Sequence, residues 1–445
     1  MKLKTNLLLT LVAFIAFTSY SFKLNAQEAQ ETPLDTLTRA VSKLQEDFAL
    51  FKKVKISGYI QAQFQVADSS GVPSFAGGDF KSNVDKRFTV RRGRVKIVYD
   101  NRLTQFVFQL DANETEIRTK EAYVKFTEPW LQAVSLQMGI FDVPFGYEAP
   151  NSSSALESPE RGRMSQTLLP GENDLGGMLT FQMPKTSKFN FLKFEAGMFN
   201  GTAGKASDFD FQKDFISRLS VAKSSKSEKF KYGLGVSFYD GGVRQANKYI
   251  YKTIDSIPNN SGKYGFVVDS ATTNTGKIAQ RQYMGIDAQI SFDFPFGITT
   301  LKGEYIQGVQ PGSSSSTKSP SAALSDASAY THTADTYLRS FNGAYFYFIQ
   351  NIMQTKHQIV IKYDWYDPNT KVSGDQIAAS GSKLGTADLK YSTLGVGYNY
   401  KWDNNIKLSF YYDMVTNETS KNLTSKGYWK DIPDNVFTMR FQYKF

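Results

Sequence analysis

The chain ends on Val436-Phe437-Thr438-Met439-Arg440-Phe441-Gln442-Tyr443-Lys444-Phe445, and this stretch alternates without a lapse. Phe437, Met439, Phe441, Tyr443 and Phe445 share one face; Thr438, Arg440, Gln442 and Lys444 share the other. A period of two is the signature of a strand. One fully apolar face backed by one charged face fits a wall between lipid and water. The last strand of a soluble sandwich would alternate in the same way, so the rest of the chain must decide between them.

Sixteen segments carry the same period: 55–67, 87–99, 103–112, 116–127, 133–141, 175–183, 189–199, 215–223, 230–240, 281–293, 297–308, 342–351, 356–366, 388–400, 405–415 and 436–445. Several have a complete apolar face, such as Val134, Leu136, Met138 and Ile140, or Ile406, Leu408, Phe410, Tyr412 and Met414. Their connections alternate long and short. Long ones include 68–86, 142–174, 241–280 and 309–341; short ones include Asp100–Arg102, Phe294–Phe296 and Lys401–Asn404, and 113–115 is a short one where a long one falls due. Short turns at one end and long loops at the other are the asymmetry of an outer-membrane barrel, and an even strand count returns both ends of the sheet to the short-turn side. A soluble sandwich has no reason for such parity. The fold class expected is all-β: a 16-stranded antiparallel transmembrane β-barrel with a short N-terminal periplasmic helix.

The start of the chain agrees with export. Lys2 and Lys4 precede an apolar run from Leu7 to Phe17, and Leu24-Asn25-Ala26 offers a small residue before Gln27. The run is too short to span a bilayer and reads as a signal peptide over residues 1–26. Its removal takes three lysines from a chain of net charge +10, leaving +7. There is no cysteine, so neither a disulfide framework nor a cysteine lipid anchor is available. No later segment holds about 18 consecutive apolar residues, which excludes spanning helices. Trp130, Tyr147, Trp365, Tyr366, Trp402 and Trp429 fall near strand ends, as the aromatic girdles of a lipid-embedded barrel would.

Residues 27–54 follow another rule. Leu34, Leu37, Val41, Leu44, Phe48 and Phe51 recur at spacings of three and four behind Pro33, a helix with an a/d stripe. It is too short to be a stable coiled coil alone. It is either a single amphipathic helix or a short bundle tying subunits together. From residue 55 to 445 no further domain boundary is visible.

Charge is uneven. Eight of the 14 arginines lie in residues 87–163, and Lys86, Arg87, Arg91, Arg92, Arg94 and Lys96 crowd together with no acid among them. Val95, Ile97 and Tyr99 take one face of the second strand, so Arg92, Arg94 and Lys96 take the other. A charge facing hydrocarbon near the midplane costs about 2–4 kcal/mol, so these three point into the lumen. Phe88 and Val90 then fall in the lumen phase as well. Either a bulge near Arg91 to Gly93 shifts the register, or a loop covers this outer end. Cations in a narrow wet channel concentrate anions, and guanidinium forks bind oxyanions at two points. The competing expectation is that Asp111, Glu114, Glu116 and Glu121 on neighbouring strands neutralise the column.

The loop 142–174 mixes aromatic, charged, Gly and Pro residues: Asp142-Val143-Pro144-Phe145-Gly146-Tyr147-Glu148, then Glu160-Arg161-Gly162-Arg163, then Pro170-Gly171-Glu172-Asn173-Asp174. This suits a segment folded into the lumen, with Arg161 and Arg163 at the narrowest point; an ordinary surface loop is the alternative. Sixteen strands leave an aqueous hole whose bore such a loop would set.

Four stretches together resemble the phosphate-selective porin O and P family: Ser57-Gly58-Tyr59-Ile60-Gln61, Arg87-Phe88-Thr89-Val90-Arg91-Arg92-Gly93-Arg94, Gly139-Ile140-Phe141-Asp142-Val143-Pro144-Phe145-Gly146-Tyr147-Glu148, and Tyr363-Asp364-Trp365-Tyr366-Asp367-Pro368-Asn369. The resemblance covers most of residues 55–445. It implies a trimeric sixteen-stranded anion channel in the outer membrane of a Gram-negative bacterium. It also implies basic residues that hand phosphate-type anions along, a ladder that Arg92, Arg94 and Lys96 would supply here. Membrane lipids, small anions such as phosphate and two further copies of the chain are the implied partners, with no cofactor.

Other classes fit less well. A weakly selective diffusion channel is the nearest alternative. A barrel hydrolase needs a nucleophile and a base, but His332 lies in a loop, His357 opens a strand with no partner pattern, and no Gly-x-Ser-x-Gly is present. No catalytic residue is assigned. Metal ligation is equally poor, with no cysteine and no histidine pair at ligand spacing. A structural or adhesin barrel needs a plug, and no plug-sized domain precedes the strands. Gly233/Gly235 and Gly395/Gly397 lie within strands and mark bends or close packing, not phosphate loops.

Overall fold

The computed structural model describes residues 33–203, 208, 210–245, 247–254, 264–318 and 335–445. The expected signal peptide and His332 lie outside them. Two compact units divide the chain at Lys53. The first contains helix α1 (Pro33–Lys53), with Lys52 and Lys53 in its last turn, where cations complement the helix dipole. Leu37, Val41 and Leu44 on its stripe are exposed.

The second unit is a closed sheet. Its wall strands are β1 (Val54–Ala67), β2 (Lys86–Asn101), β3 (Thr104–Ala112), β4 (Ile117–Thr127), β5 (Val134–Asp142), β6 (Asn173–Gln182), β7 (Leu192–Phe199), β8 (Asp214–Ser224), β9 (Phe230–Arg244), β12 (Ile278–Phe294), β13 (Gly297–Gly312), β14 (Thr336–Asn351), β15 (His357–Asp367), β16 (Tyr391–Lys401), β17 (Ile406–Asn417) and β18 (Val436–Lys444). Each pairs antiparallel with its neighbours, β9 passes directly to β12, and β1 pairs with both β2 and β18, which closes the barrel. All sixteen segments expected from the alternation are wall strands. No described helix is long and apolar enough to cross a membrane; the strands do so.

Two differences mark the long-loop rim. Strands β12, β13 and β14 run several residues further than their alternation suggested. The loop between β9 and β12 carries a hairpin, β10 (Ile250–Ile254) and β11 (Gly265–Asp269), whose first strand lies parallel against Thr336–Leu338 of β14. Five residues per strand are too few for a period to stand out from a polar loop.

The pleat sorts the faces as the last strand announced. Met439, Phe441 and Tyr443 are exposed outward, while Thr438, Arg440 and Gln442 are at most 5% exposed. Trp130 and Trp402 stand exposed on short turns. Tyr147 and Tyr366 depart from the girdle expectation. Tyr366 points inward and donates to Gln310 Oε1, and Tyr147 sits on the inner segment described below.

The register conflict in β2 resolves as a bulge. Gln61 of β1 faces Arg92, yet the next residue, Ala62, faces Val90, so Arg91 has no partner of its own. The extra residue shifts the phase by one. Phe88 and Val90 are therefore exposed on the lipid side, while Arg92 and Arg94, each 5% exposed, turn inward.

Part of the interior is apolar. Phe145, Met164, Leu168 and Leu169 pack against inward side chains of the wall, among them Tyr239, Tyr283, Phe341, Tyr345, Tyr347 and Tyr411. Phe145 is fully buried, edge-on to Tyr239 and Tyr283. Tyr411 lies flat across the glycines of β16: a Cβ at Gly395 would meet its hydroxyl at 2.2 Å, and one at Gly397 its ring at 2.1 Å.

Candidate functional site

The segment between β5 and β6 runs inside the barrel. Its backbone N–H groups at Gly146, and at Tyr147 and Glu148, donate to Ser237 of β9 and Glu304 of β13. Gln61 of β1, Gln442 of β18 and Lys407 of β17 donate to the carbonyls of Ser153, Ser154 and Leu156. Asn399 of β16 donates to the carbonyl of Glu157, and Ser158 Oγ lies 2.7 Å from the Tyr347 hydroxyl of β14. Only a segment within the lumen can touch inward groups on β1, β9, β13 and β18. It crosses the barrel, returns past β17, β16 and β14, and ends in a one-and-a-half-turn helix α2 (Arg163–Leu168).

The apolar core holds this segment against the wall from β7 to β17. The remaining polar space lies along β1 to β4. One cavity of about 310 Å³ opens toward the long-loop rim, lined by Ser74, Asp79, Arg91, Arg92, Arg94, Arg118, Glu160 and Glu172 among others. A second, of about 300 Å³, opens toward the short turns, with Ser57, Arg94, Lys96, Lys120, Glu121, Asp142, Glu172 and Lys444 in its lining. Arg94 and Glu172 line both and stand at the junction. The two linings contain Arg91, Arg92, Arg94, Lys96, Arg118, Lys120, Arg161, Lys318 and Lys444 against Asp79, Glu116, Glu121, Asp142, Glu160 and Glu172. The combined lining is net positive.

The cations are not bare. Arg92 pairs with Glu160 at 2.7 Å, Arg94 with Asp111 at 3.0 Å and Lys96 with Glu121 at 2.5 Å. Arg118 shares Asp111 at 3.2 Å. The column faces the interior; of the acids named as possible neutralisers, Asp111 and Glu121 pair with it, while Arg92 takes Glu160 of the inner segment instead. Arg94 keeps one buried donor, Nε, without a hydrogen-bond partner among the described residues. Glu160 also takes Arg91 at 2.9 Å and Arg440 at 2.6 Å. Burial pushes the Glu160 carboxyl up, but Arg91, Arg92 and Arg440 outweigh it and hold it well below the usual carboxylate range. Glu172 is likewise pushed up by burial and pulled further down by Arg161 and Lys120, which lies 2.8 Å away.

The two arginines of the inner segment do not act together. Arg161 has every donor engaged: Nε by the carbonyl of Glu148, and the two terminal nitrogens by Ser153, Glu172 and the carbonyls of Ala149 and Asn151. It braces the fold of its own segment. Arg163 lies away from the column, between the rings of Phe75 and Tyr391, with its carbon at 4.3 Å and 3.9 Å from their centroids. Burial lowers its pKa, against the pull of Tyr391 and Asp364. Sequence reasoning passed over Glu160, Lys120 and Arg440. Arg440 was legible as a polar-phase residue of the last strand; the meeting with Glu160 was not, since 280 positions separate them. His357 lies at the short-turn end, Nδ1 2.5 Å from the Tyr398 hydroxyl.

The model of the family "Phosphate-selective porin O and P" matches residues 54–445. No curated protein matches the chain. Among solved structures, the anion-selective porin from Comamonas acidovorans is 12% identical, with a TM-score of 0.49, over 88% of this chain and 99% of its own. The outer membrane channel DcaP of Acinetobacter baumannii is 9% identical, with a TM-score of 0.47, over 88% and 97%. A loop-deletion form of OmpT, an outer membrane protein of Vibrio cholerae, is 8% identical, with a TM-score of 0.49, over 88% and 99%.

Proposed function

The chain belongs to the phosphate-selective porin O and P family and is an outer-membrane porin of the Gram-negative envelope; from that premise we propose that it passes small anionic, phosphate-type solutes by diffusion. The observation that carries this reading is the net positive lining of the two adjacent cavities, which share Arg94 and Glu172. A positive lining between low-dielectric walls raises the local concentration of anions and lowers that of cations. Arg92, Arg94 and Lys96 form the wall of the path, with Lys120 and Lys444 continuing it toward the short turns. The inner segment sets the bore, and Arg94 opposite Glu172 is its waist. Arg161 serves the path by holding the segment in place. Diffusion needs no covalent step, cofactor or metal.

A weakly selective diffusion porin is the second reading, favoured by the pairing of Arg94 with Asp111 and of Lys96 with Glu121. Single-channel recording separates the two. A reversal potential in a potassium chloride gradient that reports anion preference, with block of chloride current by phosphate, supports the first; a potential near zero supports the second. We place residues 1–26 as the export signal, 27–54 as a periplasmic helix and 55–445 as the barrel. A homotrimer is the assembly we propose, tested by native mass measurement in detergent.

A further inference from the structure

The Glu160 carboxylate is held as a bound oxyanion would be. Arg91 reaches it with a two-point fork, Nε to Oε1 at 2.9 Å and Nη2 to Oε2 at 3.1 Å. Arg92 does the same at 3.0 and 2.7 Å, and Arg440 adds a fifth donor at 2.6 Å. Two planar forks on one carboxylate are the geometry by which arginine recognises carboxylates and phosphates. Three guanidinium groups around one negative charge leave the cradle positive while it is occupied. Its rim is polar: Gln63 Oε1 accepts from Arg440 Nε at 3.0 Å, and Gln63 Nε2 has no hydrogen-bond partner among the described residues.

The carboxylate belongs to the inner segment, and the arginines belong to the wall. Arg91 is the bulged residue of β2 and the most open of the three, with its side chain 26% exposed against 6% for Arg92 and 3% for Arg440. The cavity of about 310 Å³ borders Arg91, Arg92 and Glu160. It has room for a hydrated oxyanion, since a water takes about 30 Å³.

From this geometry, and resting on the anion-channel reading, we infer that Glu160 is a resident counter-anion that solute oxyanions displace. A small oxyanion enters beside Arg91, takes over its fork, then that of Arg92, and Glu160 swings out with the end of the inner segment. Anion replaces anion, so no guanidinium is stranded unpaired in a buried place. Glu160 thereby sets how strongly the channel holds its solute, because it competes for the cradle from a tethered position.

The test is phosphate titration of chloride current through wild-type, Glu160→Gln and Glu160→Asp channels, with thermal unfolding of each in detergent with and without phosphate. Removing the competing charge should lower the half-blocking phosphate concentration about tenfold in Glu160→Gln. The shorter aspartate, which keeps the charge but loosens the forks, should lower it about threefold. Phosphate should also raise the unfolding temperature of Glu160→Gln well above its effect on wild type, because it refills an emptied cradle. A purely structural Glu160 would destabilise on substitution without that rescue. If Glu160→Gln does not fold, Glu160→Asp decides. Equal phosphate sensitivity in the folded channels, with no added thermal protection, overturns the inference. A wild-type reversal potential without anion preference overturns the anion-channel reading instead, so the two failures are distinguishable.

Discussion

Gly146 and Glu304 meet so closely that a Cβ at position 146 would lie 2.0 Å from Glu304 Oε1, on a backbone at φ 69°. Glu304 Oε2 accepts the next two backbone N–H groups, of Tyr147 and Glu148, and the Tyr345 hydroxyl at 2.9 Å. The wall of β13 thus grips the inner segment at its first turn, and only glycine permits the approach. Gly146→Ala faces left-handed strain of about 1–2 kcal/mol and the loss of those donors. The expected outcome is a lower unfolding temperature and a larger, noisier single-channel conductance as the segment loosens. A variant with wild-type conductance and melting would show that Glu304 does not fix the segment.

Arg94 and Arg163 should separate cleanly. Arg94 lines both cavities, whereas Arg163 is boxed by Phe75 and Tyr391 away from the column. Arg94→Gln removes a positive charge at the waist and leaves Asp111 paired with Arg118. The anion-to-cation permeability ratio is expected to fall toward unity. Arg163→Gln should leave that ratio near the wild-type value, and reversal potentials in a salt gradient read both.

Arg161 carries a different expectation. Its guanidinium binds three carbonyls of its own segment and Glu172, and its side chain is 4% exposed. Removing one partner of a buried pair typically costs about 3–5 kcal/mol. Arg161→Ala should therefore open the segment to added protease and raise conductance, with a smaller change in ion preference than Arg94→Gln. A loss of anion preference at unchanged conductance would move Arg161 into the solute path.

The sequence made the wall readable because a barrel strand meets two solvents, and the pleat records both on alternate residues. Even the bulge at Arg91 announced itself, as a conflict between the phases of Phe88 and Arg94. The apolar part of the lumen did not. On β14, Tyr345, Tyr347 and Ile349 face inward while Phe346 and Phe348 face lipid. With both faces apolar, the alternation carries no sign of which way is in. The role of the inner segment was half readable. Its mix of aromatic, charged, Gly and Pro residues marked it as a segment for the lumen, but Arg161 and Arg163 lie two positions apart and serve different neighbours. Glu160 looked like one more loop acid, since the arginines that define it come from β2 and β18 and meet it only in the closed barrel.

Acid should release the inner segment late. Burial works to raise the Glu160 carboxyl, and Arg91, Arg92 and Arg440 overcome it; burial works to raise Glu172, and Arg161 and Lys120 overcome it. Both carboxyls are depressed in the folded chain relative to an unfolded carboxyl near 4.3. Their contribution to stability is complete above that value and is lost as pH falls through the lower, folded values. The pairs at Glu160 and Glu172 should therefore stay intact from pH 7 to about pH 5 and not themselves release the segment over that range. As pH falls through the depressed folded values the carboxyls protonate, the arginines lose their partners, and conductance should change together with protease sensitivity. Release of the segment already between pH 7 and pH 5 would mean that the pairs at Glu160 and Glu172 are not what holds it.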